Sequence, residues 1–252
     1  MLVNGKWSKD FDPLQAVDED GRFIRQDSQF RNWITPEGNA GLTGNAGFKA
    51  EPGRYHLYVA LICPWACRTL MARKIKKLES VISVSVVEPY LHDECWGFGD
   101  YPGSDIEPLY GFKYAHQLYT RADANYSGQV TVPVLWDKKQ HTIVNNESAD
   151  IVRMLNSGFG DQADNTVDLY PLHLRVEIDA VNERLYDSFN NGVYQAGFAS
   201  TQFAYEEAVA KVFASLAYLQ DKLEGQNFLV ANRLTEADIR ALGDRENPQT
   251  KG

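Results

Sequence analysis

The chain has 252 residues, of which 44% are hydrophobic and 23% are charged, as in an ordinary globular protein. Its formal net charge of −9 argues against binding to nucleic acid, which requires a basic surface. No apolar run is long enough to cross a bilayer, and the first residues lack the pattern of a signal peptide. The three cysteines do not suggest a disulfide framework, so we expect a cytoplasmic protein in which one cysteine can be reactive.

Residues 1–53 are predicted to form an irregular N-terminal extension. They combine polar residues with a cluster of glycines between positions 38 and 47. We predict an arm that wraps a folded domain, with residues 30–34 packed onto that domain. A disordered tail is the alternative, and the aromatic residues of this segment argue against it: Phe11, Phe23, Phe30, Trp33 and Phe48.

The next segment predicts a strand, a helix and a second strand. Residues 54–61 and 81–87 are rich in residues that favour β-structure, and residues 64–78 have a helical pattern. Because the links are short, we expect a parallel β-α-β unit. A long polar segment follows, from Glu88 to Gln129, and a loop of that length in a compact domain is usually functional.

Residues 130–136 and 141–144 predict a pair of strands, followed by a helix from Asn146 to Asn156. Pro133 is unusual inside a strand because it cannot donate a hydrogen bond to the ladder. Two explanations stay open. Pro133 lies in an edge strand, or the Val132–Pro133 bond is cis and this edge faces a ligand.

The rest of the chain is predicted to be helical. Residues 157–170 read as a polar linker, and we place the domain boundary there. Beyond it, apolar residues recur at helical spacing over 174–185 and 209–223. Residues 235–238 have the pattern of a capping box that opens a further helix.

Cys63 lies between the first predicted strand and the first predicted helix, directly before Pro64. At a helix N-terminus, a cysteine is close to unpaired N–H groups and to the positive end of the helix dipole. Both effects favour the thiolate and therefore predict a lowered pKa. A buried structural cysteine is the ordinary alternative, but the strand–Cys-Pro–helix context favours a nucleophile.

This order of elements resembles the Xi class of glutathione transferases, the glutathionyl-hydroquinone reductases. The matching blocks occur in the family's order: Phe30–Trp33, Tyr55–Val59, Cys63–Ala66 with Arg68 and Thr69, Ser83–Val87, Thr131–Asp137, Asn146–Ser148 and Asn191–Tyr194. The resemblance implies an α/β thioredoxin-like domain over 54–157. It also implies an all-α glutathione-transferase domain over 170–252, which is incomplete here.

The resemblance further implies the chemistry. Cys63 would take the glutathionyl group from a glutathionyl-hydroquinone as a mixed disulfide, and a second glutathione would release it as oxidised glutathione. Tyr194 would exchange a proton near the aromatic substrate; a packed aromatic residue is the alternative. Glutathione is the implied co-substrate, and no metal is implied. Its binding residues would be Trp96, Gln129, Val130, Thr131, Val132, Glu147 and Ser148. Taken alone, a tryptophan such as Trp96 is more often a core residue, and the alternative for Glu147 and Ser148 is helix capping, which is compatible with binding.

Three departures from the family pattern leave alternatives open. Cys67 stands where the family usually has His, and it is either a small buried residue or a partner of Cys63 in a disulfide formed on oxidation. Gln129 replaces a frequent Arg. The family's last helices, further tyrosines and dimer surface are replaced by a short polar tail, so the family's homodimer is uncertain here. The alternative functions are a general thioltransferase or dehydroascorbate reductase, or a truncated relative that binds glutathione without turnover.

Overall fold

The computed structural model describes residues 1–10 and 12–242. Phe11 and residues 243–252, which include most of the predicted polar tail, lie outside the described residues. Two compact units are present: residues 1–10 with 27–168, and residues 12–26 with 169–242. The predicted extension 1–53 is therefore divided between the two units. The predicted domain ranges 54–157 and 170–252 stay predictions.

The first unit contains all of the strands. They are β1 (Leu2–Val3), β2 (Lys6–Trp7), β3 (Tyr55–Val59), β4 (Ser83–Val86), β5 (Leu91–His92), β6 (Cys95–Trp96), β7 (Val134–Asp137) and β8 (Thr142–Asn145). The central sheet has the order β4-β3-β7-β8, in which β3 pairs parallel with β4 and antiparallel with β7. Every residue of β3 is buried, as expected for the middle of a sheet. The remaining strands form two small hairpins, β1-β2 and β5-β6.

Three helices complete the first unit: α1 (Pro64–Ile75), α2 (His116–Ala122) and α3 (Ser148–Ser157). α1 connects the parallel strands β3 and β4, which confirms the predicted β-α-β unit. It also packs against α3, so the N-termini of both helices belong to one layer of the fold. α1 ends at Ile75, before the predicted residue 78, because Lys77 adopts a left-handed conformation with φ 53°.

The structure excludes one of the two sequence-based explanations for Pro133. The strand begins at Val134, four residues later than predicted, and β7 lies between β3 and β8. Pro133 is therefore not part of an edge strand. The Val132–Pro133 peptide bond is cis, as the other explanation expected. The structure also adds the β1-β2 hairpin, which was not predicted from the sequence although its Asn4-Gly5 turn, with positive φ at both residues, is typical of a hairpin.

The second unit is helical. Its helices are α4 (Arg175–Leu185), a π-helical turn (Tyr186–Asn190), α5 (Gly192–Gly197), α6 (Gln202–Lys222) and α7 (Glu236–Leu242). Short 3-10 turns occur in this unit at Pro13–Gln15 and Leu172–Leu174, and in the first unit at Gly160–Gln162. None of the helices within 1–10 and 12–242 is both long and apolar enough to cross a membrane.

The helical core confirms one predicted face and corrects another. Ile178, Val181 and Leu185 of α4 are buried in one cluster with Leu219 of α6. On α6, however, Phe213 is 66% exposed and the predicted apolar face is only partly covered. The carboxylate half of the predicted capping box is confirmed, because the N–H of Thr235 donates to the Asp238 carboxylate at 2.8 Å. The Thr235 hydroxyl donates to the same carboxylate at 3.0 Å.

Candidate active site

Cys63 is placed by the junction between β3 and α1. It is the N-cap residue of α1, and Pro64 is the first helical residue, where a backbone N–H is not needed. The Sγ of Cys63 donates a hydrogen bond to the carbonyl oxygen of Val132, at 3.6 Å. The thiol therefore lies where the N-terminus of α1 meets the residue that precedes the cis-proline.

Opposing effects set the pKa of the Cys63 thiol. Burial in the surrounding protein raises it, whereas the N–H groups of Ala66 and Trp65 and the charge of Arg68 lower it. Burial is the largest effect, and it raises the pKa to about 11. The sequence predicted a lowered pKa because it took only the helix N-terminus into account. In the structure the neutral thiol is the resting form near neutral pH.

Cys67 lies one helical turn after Cys63 and has separate contacts. Its Sγ donates to the carbonyl oxygen of Leu61 at 3.3 Å, and burial raises the pKa of its thiol. The backbone N–H of Cys67 donates to the Cys63 carbonyl at 3.0 Å, so the first turn of α1 is regularly formed. Both cysteines are free and partly exposed, so Cys67 is not the fully buried residue that one of our alternatives expected.

Tyr119 of α2 fixes the segment that carries four of the predicted glutathione-binding residues. Its buried hydroxyl donates to the Thr131 carbonyl at 2.9 Å and accepts from the Thr131 N–H at 3.2 Å. It also accepts from Asn146 Nδ2 at 3.2 Å, which links the segment to the residue before Glu147. Tyr126 adds a hydrogen bond to the Gln129 carbonyl at 2.9 Å. These two tyrosines hold residues 129–132 in a defined conformation.

The N-terminus of α3 carries Glu147 and Ser148. One carboxylate oxygen of Glu147 accepts from the Ala149 N–H, and the other accepts from Ser28 Oγ, both at 3.2 Å. Glu147 is thus a helix cap, as our ordinary alternative expected, and this role is compatible with ligand binding. Ser148 is 2% exposed. Among the described residues, its hydroxyl has no hydrogen-bond partner.

A further buried polar group, on the segment 129–132, also lacks a partner within the described part of the chain. It is the Nε2 of Gln129, three residues before the Val132 carbonyl that accepts from the Cys63 thiol. An unpaired buried polar group costs free energy, so groups of this kind are typical of a site that is completed by a ligand. Gln129 Nε2 and Ser148 Oγ are two such donors, and they suit a peptide-like ligand with carbonyl and carboxylate oxygens.

The two remaining predicted residues lie outside this set of hydrogen bonds. Trp96 is in β6, and its carbonyl accepts from the Ala115 N–H at 2.9 Å, which joins the β5-β6 hairpin to the start of α2. Tyr194 is in α5 of the second unit, directly after the π-helical turn. π-Helical turns often occur at functional sites.

Sequence reasoning missed Tyr119 and Ser28 as supports of this site. Tyr119 falls in the long polar segment from Glu88 to Gln129, and nothing distinguishes it locally from the other twelve tyrosines. Ser28 is 119 positions before Glu147, so no local pattern connects the two residues. No group of three or more His, Cys, Asp or Glu residues within 1–10 and 12–242 is arranged to hold a metal ion.

Comparisons with known proteins agree with this architecture. The family model for the N-terminal domain of glutathione S-transferase matches residues 62–157, which confirms the thioredoxin-like domain. The Escherichia coli glutathionyl-hydroquinone reductase YqjG is 52% identical over 95% of this chain and 73% of its own length. The glutathionyl-hydroquinone reductase PcpF of Sphingobium chlorophenolicum is 46% identical over the same shares.

Solved structures give the same assignment. The glutathione-bound structure of Escherichia coli YqjG matches with a TM-score of 0.85 and 51% identity, over 96% of this chain and 72% of that one. The Xi glutathione transferase of Phanerochaete chrysosporium matches with a TM-score of 0.84 and 48% identity, over 90% and 72%. The chain belongs to the glutathione transferase family and, within it, to the Xi class.

Proposed function

We propose that this protein is a glutathionyl-hydroquinone reductase, which uses glutathione to convert glutathionyl-hydroquinones into hydroquinones. The observation that carries the proposal is the Cys63 thiol at the N-terminus of α1, 3.6 Å from the carbonyl of Val132. The names of the two relatives, which are 52% and 46% identical, support this substrate class.

Glutathione would bind along residues 129–132. The N–H of Val132 would pair with the backbone of the tripeptide, in the manner of an added strand. Ser148 Oγ and the N–H groups at the start of α3 would bind the γ-glutamyl carboxylate, and Glu147 would bind its ammonium group. Gln129 would donate to a further oxygen of the ligand, and Trp96 would pack against it. Val130 and Thr131 would contribute backbone contacts.

The proposed reaction has two steps that balance. The Cys63 thiolate attacks the glutathione sulfur, the bond between that sulfur and the aromatic carbon breaks, and a proton is delivered to the ring carbon. The products are the hydroquinone and a Cys63–glutathione disulfide. A glutathione thiolate then attacks this disulfide, which releases oxidised glutathione and free Cys63. Two glutathionyl sulfurs are oxidised to a disulfide while the aromatic carbon is reduced.

The first step needs two proton transfers. Because burial raises the pKa of Cys63, its proton must leave as the substrate binds. Tyr194 is our proposed donor to the ring carbon, since a phenol can deliver a proton and stays protonated near neutral pH. This assignment rests on the family resemblance of residues 191–194.

Turnover of glutathionyl-menadiol with glutathione tests the proposal. We expect activity in the wild type and in Cys67→Ser, and none in Cys63→Ser, which should still bind glutathione. In the wild type, mass spectrometry should detect one glutathione attached to the peptide that contains Cys63. Full activity of Cys63→Ser would refute the mechanism, and equal loss in Cys67→Ser would point to Cys67 as the nucleophile.

The same assay separates the alternatives. A general thioltransferase would reduce a glutathionylated peptide or dehydroascorbate faster than glutathionyl-menadiol. A relative that only binds glutathione would show binding by calorimetry and no turnover of any of these substrates. The cytoplasmic location and the homodimer belong to the proposal as well. A cytoplasm supplies the reduced glutathione that the reaction consumes, and light scattering of the full chain measures the oligomeric state.

A further inference from the structure

Arg25 makes two contacts with the first turn of α5, the helix that carries Tyr194. Its guanidinium carbon lies over the Tyr194 ring, 4.4 Å from the ring centroid. Its Nε donates to Asn191 Oδ1 at 2.6 Å, and Asn191 is the N-cap residue of α5. The backbone N–H of Tyr194 in turn donates to the Asn191 carbonyl at 3.0 Å. One side chain thus contacts both the cap of the helix and the face of the tyrosine.

The backbone that precedes Arg25 is held by contacts with residues of the second unit, so the position of Arg25 does not depend only on its own contacts with α5. The N–H of Ser200 donates to the Gly21 carbonyl at 3.0 Å, and Gly21 has φ +84°. A Cβ atom at Gly21 would lie 2.6 Å from the methyl group of Thr201, so only glycine allows this approach. Between Gly21 and Arg25, the Phe23 ring packs against Phe198, with centroids 5.3 Å apart.

Arg25 suits a positioning role for chemical reasons. A guanidinium is planar and permanently charged, so it can lie over an aromatic face while its Nε donates in a fixed direction. A partly exposed tyrosine with no such contact samples several rotamers. The contact with Arg25 restricts the Tyr194 ring, and the bond to Asn191 restricts Arg25.

We propose that Arg25 is a positioning residue that holds Tyr194 in the orientation needed to deliver its proton. This inference rests on the proposed function of Tyr194 and deepens it. Arg25 acts through the ring of Tyr194 and does not itself exchange the proton. Its loss should therefore lower kcat while the KM for glutathione stays within about two-fold, and the loss should depend on the Tyr194 hydroxyl.

A double-mutant cycle in the full chain tests this dependence. We expect Tyr194→Phe to lower kcat for glutathionyl-menadiol by about 100-fold, the scale of general acid catalysis. Arg25→Ala should lower kcat by about 10-fold alone and by less than two-fold in the Tyr194→Phe background. Arg25→Lys, which keeps the charge, should recover part of the loss. Additive losses, or full activity of Arg25→Ala, would overturn the proposal.

Arg22→Ala is the matched control. Arg22 lies on the same segment and pairs with Glu207 of α6 at 2.9 Å, so its removal loosens the segment without changing the cation over Tyr194. We expect kcat of Arg22→Ala to stay within about two-fold of wild type. If Arg22→Ala and Arg25→Ala lose the same activity, the effect is general loosening and the positioning role is refuted.

A spectroscopic measurement decides the inference separately from the proposed function. With 3-fluorotyrosine placed only at position 194, the 19F resonance should shift in Arg25→Ala and stay in place in Arg22→Ala. An unchanged resonance in Arg25→Ala would overturn the positioning role. Absence of wild-type turnover would instead refute the proposed function, and the fluorine spectra would still report whether Arg25 holds the ring.

Discussion

Replacing Tyr119 by Phe should lower both the stability of the protein and its affinity for glutathione, because Tyr119 holds the segment 129–132. The hydroxyl of Tyr119 makes four hydrogen bonds, with the carbonyl, N–H and Oγ1 of Thr131 and with Asn146 Nδ2, between 2.9 and 3.2 Å. Thr131 Oγ1 and Asn146 Nδ2 also contact one another at 3.5 Å, so they count together as one lost partner. Burial raises the pKa of Tyr119, so the phenol stays protonated and donates one of them. Each buried group that loses its partner costs about 1 kcal/mol or more. We therefore expect the free energy of unfolding to fall by about 3 kcal/mol.

The matched control is Tyr126→Phe, which removes a single hydrogen bond, to the carbonyl of Gln129 at 2.9 Å. We expect a loss of about 1 kcal/mol for this variant. In thermal unfolding the corresponding decreases are about 6–12 °C for Tyr119→Phe and about 2–4 °C for Tyr126→Phe. Calorimetry should then show glutathione affinity reduced by about ten-fold in Tyr119→Phe, because residues 129–132 are no longer held in place before binding.

Two results would refute this reasoning. Equal destabilisation by the two substitutions would show that the number of hydrogen bonds does not set the cost. Wild-type glutathione affinity in a clearly destabilised Tyr119→Phe would show that the conformation of residues 129–132 does not depend on the tyrosine. Measuring both properties in the same samples separates a loss of stability from a loss of binding.

The remaining predictions concern the thiol and the helix N-terminus. In a chain with Cys67→Ser and Cys95→Ser, alkylation of Cys63 by iodoacetamide should accelerate about ten-fold per pH unit from pH 7 to 9. The reason is that the thiolate fraction increases about ten-fold per pH unit below a pKa of about 11. A plateau of the alkylation rate below pH 8 would contradict this prediction. Ser148→Ala should raise the melting temperature of the free protein slightly, because it removes a buried hydroxyl that has no partner among the described residues. The same substitution should weaken glutathione binding by about ten-fold in calorimetry. Unchanged affinity would remove Ser148 from the proposed site.

Features that depend on neighbouring residues in the chain were predictable from the sequence. The Cys63-Pro64 pair marks the start of α1 because proline suits the first helical position. The contact between Thr235 and Asp238 was also predictable, because the two residues are three positions apart and lie within a single helical turn. The start of β7 was placed four residues too early, because β-forming residues before Pro133 were counted as part of the strand although residue 131 pairs with a tyrosine hydroxyl.

Contacts between distant residues were not predictable. Tyr119, Ser28 and Arg25 each support a predicted site residue or its segment, and none belongs to a local motif. The bond from Arg25 to Asn191 spans 166 positions, and that from Ser28 to Glu147 spans 119. A sequence pattern names the residue that reacts or caps a helix, but the residues that orient it come from wherever the fold brings a suitable side chain.

The pKa of Cys63 shows why this distinction matters for function. The N–H groups of Trp65 and Ala66 are consequences of local sequence, and they do lower the pKa as predicted. Burial depends on every element that packs around the sulfur, and it reverses the net direction. If the thiol rests in its neutral form, donating to the Val132 carbonyl, then a ligand that pairs with the backbone of Val132 alters the immediate surroundings of the sulfur. Glutathione binding and activation of the nucleophile would therefore be coupled through one residue.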